Sequence, residues 1–166
     1  MSDPTPEEQA RALALRVLAF HARTEAQLRR RLRGAGYAAE QDAVVEWLRR
    51  LGYLDDRGWA EATARALLRP GRLGPRAAER RLLAAGIPAA QAKEQIAAAL
   101  AEAGGAGAGS PEVVLCRALA ERRTRGAAPA ELPPKERVRL ARFLLSRGFG
   151  GEAVHRVVGL PEEGDG

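Results

Sequence analysis

Apolar residues recur along this chain at helical spacing, in short runs that stop at glycine. Leu13, Val17 and Phe20 fall at i, i+4 and i+7, which predicts one helix face. Leu28, Leu32 and Ala35 form a second stripe and Val44, Leu48 and Leu51 a third. Gly36 and Gly52 follow these two stripes, where a helix C-terminus favours a residue that turns left-handed. The pattern then returns twice. Trp59, Thr63, Ala66 and Leu67 predict one face, Leu82 and Leu83 the next, and Ile96 and Leu100 a third. Val113, Cys116 and Ala120 are followed by Leu140, Leu144 and Phe149, and then by Val154, Val157 and Val158. The reading is an all-α protein built of tandem three-helix modules.

Aligned segments support a repeat. RLRGAGYAAEQDAV (31–44), RLLAAGIPAAQAKE (81–94) and FLLSRGFGGEAVHR (143–156) place Gly36, Gly86 and Gly148 in register, 50 and then 62 residues apart. Leu32, Leu82 and Leu144 precede the glycine, and Tyr37, Ile87 and Phe149 follow it. Arg30, Arg80 and Arg142 stand six residues before it. The expected modules are 1–54, 55–103 and 110–158, with a glycine-rich linker at 104–109 and an acidic flexible tail at 159–166. GAAPAELPP (126–134) reads as a loop inside the third module. A unit of about 50 residues buries little surface alone, so neighbouring modules should lean on one another.

Local grammar explains the one pair of adjacent carboxylates. In LGYLDDRGWA (51–60), Asp55 is placed to cap a helix and Asp56 to sit in its first turn, where the helix dipole favours negative charge. Leu54 and Trp59 hold the positions of a hydrophobic staple. Two carboxylates in one turn point apart, unlike an acid–base pair converging on a substrate. TEAQ (24–27) reads as a capping box, and Gly74–Pro75 as a helix entry with proline in the first turn.

Composition narrows the chemistry. Only 4% of the residues are aromatic, while Ala, Leu and Arg dominate, which favours helices. The net charge of +6 predicts an acidic partner. Cys116 is the only cysteine, His21 and His155 are the only histidines, and no phosphate-cradling or nucleophile-elbow sequence occurs. The expectation is a binding protein with no catalytic, metal or cofactor site. It is expected to be monomeric and cytoplasmic, with no membrane association. Cys116 lies on an apolar face and reads as a core residue.

The binding candidates are arginines. Arg29, Arg30 and Arg33 lie off the Leu28/Leu32 stripe, Arg69 and Arg72 flank a turn, Arg76 and Arg80 stand at i and i+4, and Arg139 and Arg142 share a face. Two readings stand for the recurring position of Arg30, Arg80 and Arg142: a solvated outer face, or a row that sets up a continuous cationic field. Trp47, Trp59, Tyr37, Tyr53 and Phe149 fall at inward or helix-end positions, so no base-stacking platform is expected among them.

Four blocks carry a family resemblance: TEAQLRRRL (24–32), GYLDDRGWA (52–60), GPRAAERRLLAAGI (74–87) and FLLSRGFGGEAVHRVV (143–158). In these the chain resembles the RecX family, regulators of the RecA recombinase. The resemblance implies tandem three-helix modules in a curved, elongated body. It implies binding in the groove of a RecA–single-stranded DNA filament, with inhibition of recombinase, ATPase and coprotease activities and a role in DNA repair, recombination and the SOS response. A helical-repeat protein that binds DNA directly is the alternative.

Overall fold

The computed structural model describes residues 3–105 and 109–159. Among these are nine α-helices, one 3-10 turn and no strand. The first three helices are α1 (Pro6–Phe20), α2 (Glu25–Gly34) and α3 (Gln41–Arg50). The next three are α4 (Asp56–Leu67), α5 (Pro75–Ala84) and α6 (Ala89–Gly104). The last are α7 (Pro111–Arg123), α8 (Pro134–Ser146) and α9 (Gly151–Val158), with the 3-10 turn Pro129–Glu131 before α8. Residue 104 of the expected linker is thus the last of α6, and Gly105 caps it. Residues 106–108 and most of the expected tail, 160–166, lie outside the described residues.

Helix starts follow their caps. Thr24 and Gln27 close the capping box on α2 in both directions. Asp55 caps α4, its Oδ1 accepting the Gly58 N–H at 2.9 Å. Pro75 occupies the first turn of α5 behind Gly74. The 126–134 segment is more ordered than a plain loop, because Pro129 is buried in the 3-10 turn, which packs on α9.

Two apolar cores result. Ala10, Ala14, Leu28, Leu32, Val44, Val45 and Leu48 close the first three helices on themselves. A second core runs without a break through the other six, from Ala60 and Ala64 to Val157 and Val158, with α6 packed on α7. The accessible surface is 10355 Å² for 17.8 kDa, against about 8,000 Å² for a compact monomer of that mass. That excess fits an elongated array.

Several expected faces are corrected. Ala60, Ala64 and Leu68 fill the α4 core, and Trp59, Thr63, Ala66 and Leu67 stand at its margin. Likewise Ala10 and Ala14 face inward from α1, with Leu13 and Val17 half-buried. Alanine lets helices approach closely, which larger side chains at those positions would prevent. Phe20 is 76% exposed and Leu51 53%, since each lies at the end of its helix, past the neighbour that would cover it. Leu83 is also largely outside, leaving Leu82 as the core residue of that pair. Leu54 and Trp59 do not share one core: Leu54 packs on the first and Trp59 on the second.

The modules meet head to tail through their middle helices. At the second joint, the Gly74 N–H donates to Arg147 O at 2.9 Å and the Arg76 N–H to Gly148 O at 3.1 Å, so the start of α5 sits on the end of α8. At the first, Thr24 Oγ1 donates to Ala85 O at 2.5 Å, so the start of α2 sits on the end of α5. Around it, the Glu25 N–H donates to Asp56 Oδ1 at 2.9 Å and Trp59 Nε1 to Ala22 O at 3.2 Å. Gly86 and Gly148 serve twice here. Each takes the left-handed turn (φ +89° and +93°), and each lets the incoming helix close on it. A Cβ on Gly86 would run into Ala26, and one on Gly148 into the backbone of Ala77. Gly36 has the same backbone (φ +93°) but open space around it.

This difference separates two glycine roles. Gly36→Ala should cost about 1 kcal/mol, from the left-handed backbone alone, and Gly148→Ala about 3 kcal/mol, because overpacking adds to it. Equilibrium denaturation of both variants checks this, and equal losses would contradict the joint.

Candidate cationic binding surface

The buried stripes of the middle helices dictate where their arginines go. Leu28 and Leu32, Ala78 and Leu82, and Leu140 and Leu144 face the cores, so most of the remaining positions face outward. Those positions are mostly basic: α2 carries Arg29, Arg30, Arg31 and Arg33, α5 carries Arg76, Arg80 and Arg81, and α8 carries Lys135, Arg137, Arg139 and Arg142. Each helix has a single carboxylate, namely Glu25, Glu79 and Glu136. Four, three and four cations against one anion apiece leave eight net positive charges, more than the +6 of the whole chain. The remainder of the protein is therefore net negative, by two.

Ion pairing is sparse on these three helices, as it is on much of the remaining surface. Arg11 pairs with Glu7, Arg49 with Glu25, Arg57 with Glu94, Arg65 with Glu61 and Glu102, and Arg156 with Glu152. None of these arginines lies on a middle helix. Arg29 is the middle-helix exception, held by Asp42 and Glu25, whose hydrogen bonds raise its pKa further. Arg30, Arg33, Arg69, Arg72, Arg76, Arg80, Arg139 and Arg142 are all exposed, and among the described residues none forms an ion pair with a carboxylate. Two have other tasks in part: Arg30 donates to Ala84 O at 3.1 Å across the first joint, and Arg33 to Gln41 Oε1 at 3.1 Å.

Arg139 and Arg142 line a shallow groove of about 420 Å³ with Pro134, Lys135 and Val138. Arg30 lines a separate one in the first module. Arg76 and Arg80 stand on α5, the helix joined to both of the others. Arg69 and Arg72 bracket a turn whose Gly71 lies directly under the Arg122 side chain, so a third cation joins them. Arg122 was not among the sequence candidates, nor were Arg123 and Arg147, whose guanidinium groups stand 5.0 and 5.9 Å from the Phe143 ring centre. Arg122 escapes a repeat search because it reaches across a module boundary, and Arg123 and Arg147 because they meet one ring from different helices or helix ends.

The remaining chemistry is structural. Asp55 and Asp56 are used as a cap and as a clip on the Glu25 N–H. Cys116 is fully buried, and burial pushes its thiol up to about 12. At pH 8 the folded protein should label with a thiol reagent at least about a hundredfold more slowly than the denatured chain. Comparable rates would contradict the buried assignment.

Family models describe two parts of this chain: residues 10–48 match the RecX first three-helix domain, and residues 112–158 the RecX third three-helix domain. The Regulatory protein RecX of Thermus thermophilus is 34% identical over 160 residues, 95% of this chain and 96% of that protein. The Regulatory protein RecX of Leptothrix cholodnii is 30% identical over 163 residues, covering 98% and 95%. Among solved structures, RecX from Lactobacillus salivarius superposes with a TM-score of 0.72 over 93% of this chain and 95% of that one, at 18% identity.

Proposed function

The chain belongs to the RecX family of regulatory proteins, and from that premise we propose that it binds the RecA–single-stranded DNA filament and restrains its recombinase, ATPase and coprotease activities. The observation that carries the reading is the net positive charge of α2, α5 and α8, concentrated on three helices joined end to end. A nucleoprotein filament is a long polyanion, and a series of cations held by successive modules suits an extended partner better than a point-like one. Arginine also forms bidentate contacts with both phosphate and carboxylate, so one surface can meet a strand and an acidic protein face.

In this reading the protein works by occupying a surface and not by catalysis. It acts as a monomer in the cytoplasm.

Arg80→Glu with Arg142→Glu should raise the concentration for half-inhibition of RecA ATP hydrolysis by roughly tenfold or more at fixed moderate salt. The assay runs on single-stranded DNA, with the affinity for bare strand measured alongside. Unchanged inhibition would remove these arginines from the interface. Inhibition that only follows coating of the DNA would favour direct DNA binding instead.

A further inference from the structure

The first module carries a groove of about 610 Å³ lined by Val17, Phe20, Arg23, Gln27, Arg30 and Arg31. Its contents are unusual for a solvated face. Phe20 is 76% exposed, the largest exposure of any large apolar side chain among the described residues. Three arginines stand with it and no carboxylate lines the groove. None of the three forms an ion pair among the described residues. Gln27 spends its Oε1 on the Thr24 N–H at 3.1 Å, which leaves its amide N–H groups to donate.

We propose that this groove is a contact site for single-stranded nucleic acid, with a base stacking on the Phe20 ring and the flanking phosphates meeting Arg23 and Arg31. The proposal deepens the filament reading and rests on it for placing a strand within reach. A ring offered almost bare, with guanidinium groups beside it, matches how single strands are held without sequence preference. An acidic peptide with an apolar anchor would fit less well. Such an anchor needs a pocket that removes it from water, and here only half-buried Val17 accompanies the ring. Arg30, tied to Ala84 O, holds the groove against the first joint, so a strand seated here would run toward α5.

The test uses the full-length protein and a fluorescently labelled oligothymidylate, followed by anisotropy at fixed low salt. Phe20→Ala should weaken binding roughly tenfold, and Phe20→Trp should restore it. Arg31→Glu should flatten the dependence of affinity on salt. Because Phe20 is outside both cores, the variants should keep the helical circular dichroism of the parent. Parental strand affinity in Phe20→Ala overturns the proposal, as does failure of the parent to bind the strand. Loss of filament inhibition with strand affinity intact also overturns it, assigning the groove to a protein surface while leaving the filament reading in place. Loss of strand affinity with filament inhibition intact supports the strand site and shows that inhibition does not require it.

Discussion

A helix that ends in a bare glycine and receives the start of another helix is the constraint on which this molecule is built. Gly148 receives α5 and Gly86 receives α2, and in both cases the missing side chain is what allows the approach. The contacts put carbonyl groups at a helix C-terminus against donors, which satisfies acceptors that a helix end otherwise leaves to water. Because the joints fall on the middle helix of each module, they string together the three helices that carry the net positive charge. Architecture and charge are consequences of one arrangement.

The two joints differ in strength for a physical reason. Behind the second, α6 packs on α7 and a single apolar core spans six helices. The first is made of hydrogen bonds from Thr24, Glu25, Trp59 and Arg30, with the first module keeping its own core. Polar contacts near solvent contribute less than continuous apolar burial. The first module is therefore the part whose orientation yields first, and it is the part that offers Phe20.

Much of this was legible in the sequence because it depends on local rules. The glycine register, the capping box at Thr24 and the cap at Asp55 follow from backbone chemistry within a few residues, and the structure places them as read. Face assignments fared worse where alanine does the packing. Ala60 and Ala64 face the core while larger neighbours sit at its edge, since close helix approach rewards small residues that hydropathy undervalues. Helix-end residues such as Phe20 and Leu51 fit the periodicity yet have nothing above them. The clip of Asp56 on Glu25, the second duty of Gly86 and Gly148, and the gathering of Arg122 over Gly71 all join distant segments, and no one-dimensional pattern announces them.

Arginine-specific footprinting with phenylglyoxal, on the free protein and on the protein mixed with RecA–single-stranded DNA filaments, reads out the cationic series residue by residue. Arg76, Arg80, Arg139 and Arg142 should lose reactivity on binding while Arg57, Arg65 and Arg156, on helices outside the cationic series, keep theirs. Protection of the second group with the first left reactive would contradict it.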